Sequence, residues 1–374
     1  MLIAGGGTGG HLFPALAAAD ALRRRGAEIL FIGTRAGIEA RVVPQRGFPI
    51  EFIPVAGFKR RRIAANLLFP VKAVASFLAS IGILRAWRPQ AALGTGGYVC
   101  GPVLMAAVMK KIPIFLQEQN SYPGVTTRLL ARFARTIYLN FAEASDHLPG
   151  GAKTRHVGNP VRTDLYVAAG ADDRHARKAA AVRKWGLNSE MPTLLIFGGS
   201  QGARSLNRAA AEKLSKWGEI CNLIWGYGKY DVPDLSAWQG PGRLAAHAFI
   251  DDMPSAYAAA DLAVCRSGAM TLSELQAAAL PAILIPFPHA AGDHQRRNAI
   301  AYAHSGGALV LQDRELSGDR LWTEVRRLLS DTEKLESMRR AQAKPLREDA
   351  AAVIAEEILA FIREKSAASS GANG

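Results

Sequence analysis

Short aliphatic runs recur along the chain, each followed by glycines and then by an alanine- and leucine-rich stretch whose apolar positions repeat at helical spacing. The pattern predicts strand-loop-helix units on parallel sheets, a doubly wound α/β architecture. In the first half, Leu2-Ile3-Ala4 leads into a helix expected over 14–25 with Pro14 in its first turn. Strands are expected at 28–32, at 91–93 ahead of GTGGYVCGP, and at 114–116. In the second half, 193–197 runs into GGSQGA, 262–265 into RSGAMTLSE and 282–285 into PFPHAAGDHQ. Each half therefore has its own sheet and its own glycine loops.

The turn-rich segment Val157-Gly158-Asn159-Pro160-Val161-Arg162 marks the boundary, giving domains 1–160 and 161–342 with a cleft expected to open at this hinge. A length of 374 residues suits two cores. Pro345 precedes a helix-forming run, 348–363, and the Ala/Ser/Gly-rich tail 366–374 is expected to be disordered. The first strand is short for its type, so a few residues are expected to be missing before Met1.

Composition narrows the class. Hydrophobic residues at 49% and charged residues at 21% suit a folded, soluble protein. The formal charge of +14 calls for an anionic partner: nucleic acid, a phosphorylated ligand or an acidic lipid surface. Zinc-finger spacing, a basic heptad helix and an aromatic-basic RNA motif are all lacking, so no nucleic-acid partner is expected. Cys100, Cys221 and Cys265 are far apart and lack paired ligand spacing, which argues against disulfides or a zinc site and for a reducing cytoplasm. Four residues before the first glycines leave no room for a secretory signal. The apolar stretch 73–84 is too short to span a bilayer.

Gly5-Gly6-Gly7-Thr8-Gly9-Gly10-His11 joins a strand to a helix. Glycine lets the backbone turn and approach a phosphate, while a helix N-terminus offers unpaired N–H groups, so an anion site is expected here. The spacing also satisfies G-x-G-x-x-G, but a dinucleotide dehydrogenase needs an acidic residue at the end of the second strand. That strand ends Phe31-Ile32-Gly33-Thr34, which disfavours the dehydrogenase. His11, at the start of the helix, is either a surface residue or a base able to take a proton from a sugar hydroxyl. In the second half, Ser267 reads equally as a helix cap or as part of a diphosphate loop. Glu274 reads equally as a partner of the helix dipole or as an acceptor for ribose hydroxyls. Glycine loops in both halves suggest a ligand bound between domains.

GGGTGGH, GTGGYVCGP, EQN at 118–120, GNPVR, GGSQGARSLN, FIDDM, CRSGAMTLSE and PFPHAAGDHQRRNA together cover nearly the whole chain. In order and spacing they resemble the MurG family, the undecaprenyl-diphospho-muramoylpentapeptide N-acetylglucosaminyltransferases. The resemblance implies two Rossmann-like domains in the GT-B arrangement, with the C-terminal helix 345–364 packing back on the first. It implies donor contacts from Thr8, Gly9, Gly10 and Asn120 on the N-terminal side. Arg162, Ser200 and Ile250 would line the donor site, with Ile250 at the uracil. Ala269, Met270, Thr271, Leu272, Ser273 and Glu274 would wrap the nucleotide, and Gln295 would reach the sugar. The sequence departs from the family at Gln117, where histidine is common, and this puts an acid-base role for that position in doubt.

The resemblance further implies transfer of N-acetylglucosamine from UDP-N-acetylglucosamine to the C4 hydroxyl of the N-acetylmuramoyl group of lipid I. The reaction inverts the anomeric carbon, and His11 is the candidate catalytic base. No D-x-D pair occurs, so no tightly bound cofactor or metal is expected, and a loosely held divalent cation on the diphosphate stays open. Between Glu51 and Glu118 there is no acidic residue, whereas Lys59, Arg60, Arg61, Arg62, Lys72, Arg85 and Arg88 fall inside, among apolar positions. The 59–88 segment reads either as a surface that settles on anionic lipid at the cytoplasmic face of the membrane or as a buried helix behind a solvated loop. The rival function is another UDP-sugar enzyme of the same architecture, such as UDP-N-acetylglucosamine 2-epimerase.

Overall fold

A computed structural model describes the chain except for residues 56–68, 162–164, 166–170, 200–201, 230–231, 343–348 and 372–374. It divides into two compact units, Met1–Val161 together with Arg347–Gly374, and Arg162–Leu346.

The first unit is built from β1 (Leu2–Ala4), α1 (Gly9–Arg24), β2 (Leu30–Gly33), α2 (Glu39–Gln45) and β3 (Ile50–Phe52). It continues through α3 (Phe69–Trp87), β4 (Ala92–Gly94), α4 (Cys100–Met109), β5 (Ile114–Glu118), α5 (Val125–Leu130), β6 (Ala134–Leu139) and β7 (Thr154–His156). Its sheet has the order β3-β2-β1-β4-β5-β6-β7, and every pairing is parallel. Alternation along β1 sends Ile3 to one face and Leu2 and Ala4 to the other. Because helices cover both faces, the strands read as unbroken apolar runs instead of alternating ones. One face packs on Leu12 and Leu16 of α1, the other on Val103, Leu104 and Ala107 of α4.

The second unit comprises α6 (Ala171–Lys184), β8 (Thr193–Phe197), α7 (Arg204–Ala211), α8 (Leu214–Ile220), β9 (Asn222–Gly226), β10 (Leu244–His247) and α9 (Met253–Ala259). It continues with β11 (Leu262–Cys265), α10 (Ala269–Ala277), β12 (Ala282–Leu284), α11 (His294–Ala303), β13 (Ala308–Val310), α12 (Gly318–Leu329) and α13 (Thr332–Gln342). The sheet order β10-β9-β8-β11-β12-β13, all parallel, repeats the plan of the first unit. The two doubly wound Rossmann-like sheets expected from the sequence are therefore present. The last helix, α14 (Ala350–Gly371), belongs to the first unit, where Ala351, Ile354, Ala355 and Ile358 are buried in the α1 side of the core. Burying two isoleucines contributes roughly 3–6 kcal/mol, enough to seat the helix.

Three expectations change. Helix α1 begins at Gly9, not at 14, because Thr8 is the extended residue that opens it (φ −142°, ψ 158°). Pro14 therefore lies inside the helix, where its missing N–H forfeits one i→i−4 bond to Gly10 near the N-terminus. Strand β2 lies at 30–33, because the backbone that pairs with β1 and β3 starts at Leu30. Helix α14 continues past Ser366 to Gly371, so the first part of the tail expected to be disordered is helical, in keeping with the high helix propensity of its alanines.

Candidate active site

In a doubly wound sheet the loops diverge where strand order reverses, and the crevice there is where ligands bind. The reversal lies between β1 and β4 in the first unit and between β8 and β11 in the second. The four loops that follow these strands are GGGTGGH, TGGYV, GGSQGA and RSG. The glycine-rich signals of the sequence thus converge on the two switch points.

In the first unit, His11 is half-buried on the first turn of α1, and its Nδ1 lies 3.0 Å from the Thr8 hydroxyl. This contact turns Nδ1 toward Thr8 at the opening of α1. The ring rests on Gly96, whose backbone has φ +96° and where a Cβ would stand 2.7 Å from His11 Cδ2. Only glycine supplies both the left-handed turn and the space. The His11 carbonyl accepts from Thr95 Oγ1 at 2.8 Å.

Behind His11 runs a buried chain of amides. Gln119 Nε2 donates to the Thr95 carbonyl at 2.7 Å and to Gln117 Oε1 at 2.5 Å. Gln117 Nε2 donates in turn to Asn159 Oδ1 at 2.7 Å. Gln117, the departure from the family pattern, is therefore 1% exposed and committed to the segment that ends the first unit. Asn120, half-buried just past β5, donates its backbone N–H and its side-chain amide to Glu118 Oε1. Glu118 Oε2 meanwhile accepts from Thr127 Oγ1 at 2.7 Å and from the Gly124 N–H.

The anion expected at the first glycine loop has a counterpart inside the protein. Glu39, on α2, is fully buried and accepts from the Gly7 N–H at 2.9 Å through Oε2, and from Thr34 N–H and Thr34 Oγ1 through Oε1. Attention to the end of β2 missed it, because the carboxylate arrives from the following helix, five residues after Thr34.

In the second unit, helix α10 follows Ser267-Gly268, and its N-terminus carries no side-chain cap. The residue at the cap position is Gly268, one after Ser267, and the Ser267 hydroxyl donates to the Gln295 carbonyl at 2.8 Å. Along α10, Ala269, Met270, Leu272 and Ser273 are buried, whereas Thr271 and Glu274 are half-buried. Glu274 Oε2 accepts from Tyr257 Oη at 2.9 Å. Burial, reinforced by the Glu274 charge, holds the Tyr257 hydroxyl well above the usual tyrosine range, so it remains a donor. Ile250, buried after β10, packs on Gly226. Gln295 Oε1 accepts from the Phe287 N–H at 3.0 Å. Arg162 and Ser200 lie outside the described residues.

Arg266, which the sequence did not single out, ties its own loop to the start of α7, to the segment after β12 and to the turn after β13. Its guanidinium donates to Asp313 Oδ1 at 2.6 Å, to Ser205 Oγ at 2.9 Å and to the carbonyls of Ile285 and Pro286. Among the described residues no group of three or more His, Cys, Asp or Glu could hold a metal ion.

Residues 1–139 match the glycosyltransferase family 28 N-terminal domain, and residues 193–357 match its C-terminal domain. A relative from Chlorobium luteolum, described as UDP-N-acetylglucosamine-N-acetylmuramyl-(pentapeptide) pyrophosphoryl-undecaprenol N-acetylglucosamine transferase, is 41% identical, covering 97% of this chain and 99% of the relative. A relative from Myxococcus xanthus with the same description is 40% identical over 95% of this chain and 91% of its own. The crystal structure of Acinetobacter baumannii MurG superposes with a TM-score of 0.72 at 28% identity, over 97% of this chain and 99% of that one.

Proposed function

The chain belongs to glycosyltransferase family 28, and from that premise we propose that it transfers N-acetylglucosamine from UDP-N-acetylglucosamine to the C4 hydroxyl of the N-acetylmuramoyl group of lipid I, forming lipid II for peptidoglycan synthesis. One observation carries the reading: likeness to a transferase so described runs over 97% of the chain at 41% identity.

His11 Nε2 takes the proton of the C4 hydroxyl as that oxygen forms its bond to the anomeric carbon from the face opposite the diphosphate. The bond from the anomeric carbon to the diphosphate oxygen breaks, its electron pair leaves with UDP, and the configuration inverts. Developing charge on the diphosphate is met by the N-terminus of α10, where the lack of a side-chain cap suits an anion. Glu274, steadied by Tyr257, is placed to accept from ribose hydroxyls. Thr8, Gly9, Gly10, Asn120, Arg162, Ser200, Ile250 and Gln295 complete the proposed donor contacts. Any divalent cation rides on the diphosphate and not on a protein cage.

The acceptor is a lipid, and α3 supplies a surface for it. This helix buries Ser76 and Ser80, whose hydroxyls donate back to the Lys72 and Ser76 carbonyls, and it exposes Val71, Val74 and Leu78 at 59–64%. Phe77, Ile81 and Leu84 pack inward on the core, so the helix is apolar on both its inner and its outer face. Lys72, Arg85 and Arg88 are exposed beside them, and Lys59, Arg60, Arg61 and Arg62 lie outside the described residues. We assign the helix to the anionic cytoplasmic face of the membrane, as a peripheral contact. Replacing Val74 and Leu78 with glutamate is expected to abolish sedimentation with acidic vesicles while UDP binding persists, and persistent sedimentation would refute the assignment.

Incubation with labelled UDP-N-acetylglucosamine and a soluble lipid I analogue tests the reaction. Acceptor-dependent transfer with stoichiometric UDP release is expected. Release of N-acetylmannosamine without acceptor would instead identify a 2-epimerase.

A further inference from the structure

Glu39 is a fully buried carboxylate that no step above uses, and among the described residues no cation is paired with it. Burying such a charge is costly unless fixed donors surround it. Three donors converge on Glu39, and one is the Gly7 N–H, an amide of the loop that in a dinucleotide-binding fold would face phosphate. The fit is tight on all sides. A Cβ on Gly6 would lie 2.6 Å from the Glu39 carboxyl carbon, and one on Gly33 would lie 2.5 Å from its Cγ. From the opposite side, Tyr98 of the second glycine loop closes on Gly7, and its hydroxyl lies 3.5 Å from Thr34 Oγ1.

We infer that the first glycine loop carries its own anion: Glu39 fills the phosphate position at Gly7 and acts as a positioning residue for His11. The peptide it grips adjoins Thr8, and Thr8 both opens α1 and meets His11 Nδ1 at 3.0 Å. The carboxylate therefore sets the backbone from which the base is presented. The inference deepens the proposed function and rests on it for the identity of the base.

The test compares wild type with Glu39→Gln and Glu39→Ala. Steady-state kinetics on UDP-N-acetylglucosamine and a lipid I analogue are combined with calorimetric UDP binding and hydrogen exchange of the 5–12 segment. Removing a charged acceptor from a buried N–H corresponds to a fall in kcat of about ten- to a hundredfold. Glu39→Gln is expected to lower kcat by that order with KM for the donor and UDP affinity held within about twofold. Glu39→Ala is expected to speed exchange of the loop and to regain turnover when formate is added, because formate fits the vacated position. A merely structural contact would not give that rescue. Unchanged kcat in both variants, a parallel loss of UDP affinity, or failure of formate to restore any turnover would overturn the inference. If wild type itself transfers no sugar, the functional reading falls, while slow loop exchange in wild type and fast exchange in Glu39→Ala still decide whether Glu39 holds the loop.

Discussion

Replacing Gln119 with leucine removes the centre of the amide chain behind His11 while nearly keeping its volume. The side chain is 2% exposed, and its Nε2 serves the Thr95 carbonyl at 2.7 Å and Gln117 Oε1 at 2.5 Å. Leucine strands both acceptors in a dry interior. Each buried group left without a partner costs about 1–3 kcal/mol, so the first unit should lose about 2–6 kcal/mol, a large part of the stability of a domain. The Thr95 hydroxyl that holds the His11 carbonyl shares its residue with one stranded carbonyl, so kcat should fall as well. Urea unfolding of the full chain, followed by far-UV circular dichroism, measures the loss. UDP binding, which belongs to the second unit in the proposed mechanism, reports whether that unit stays intact. Adding Asn159→Ala, which strands Gln117 Nε2, should cost less in the double variant than the sum of the single losses, because both act through Gln117. A loss below about 1 kcal/mol with unchanged kcat would refute the role given to the chain.

Three further outcomes follow from the same structure. Tyr257→Phe removes the hydroxyl that steadies Glu274 and should weaken UDP binding by about ten- to a hundredfold, since hydrogen bonds to charged groups contribute about 1.5–3 kcal/mol. Because the tyrosine is held above its usual range, it stays protonated as pH rises, and wild-type UDP affinity titrated to pH ~10 should show no loss from its ionisation. The three cysteines are buried, and burial raises each thiol, Cys100 to about 12, which suppresses the reactive thiolate at pH ~8. A thiol-specific chromogenic reagent should therefore leave the native chain unlabelled and titrate every cysteine after unfolding in guanidinium.

The sequence reveals what local pattern encodes. Apolar runs such as Thr193–Phe197 and Leu262–Cys265 are strands within the bounds read from them, and the glycine loops stand at the switch points because the turn and the close approach both demand glycine in the chain itself. Non-local partners stayed hidden. Glu39 meets Gly7 across 32 residues, and Arg266 meets Asp313 across 47. Neither pairing leaves a periodic trace, since a single buried carboxylate or guanidinium looks like any surface charge until the fold closes over it. The sequence leaves Ser267 open between a cap and a loop residue: the cap position falls on Gly268, and the Ser267 hydroxyl donates to the Gln295 carbonyl. At Gln117 the doubt about an acid-base role agrees with the structure, where the buried amide is a link to Asn159 that the sequence did not show.

The central claim is that His11 is the base for sugar transfer and not a holder of the nucleotide. His11→Ala, assayed side by side with wild type for transfer to a lipid I analogue and for UDP affinity, tests it most directly. A fall in kcat of about a hundred- to ten-thousandfold with UDP affinity within about twofold is expected. Near-normal turnover in that variant, or a loss of UDP affinity that matches the loss of rate, would contradict it.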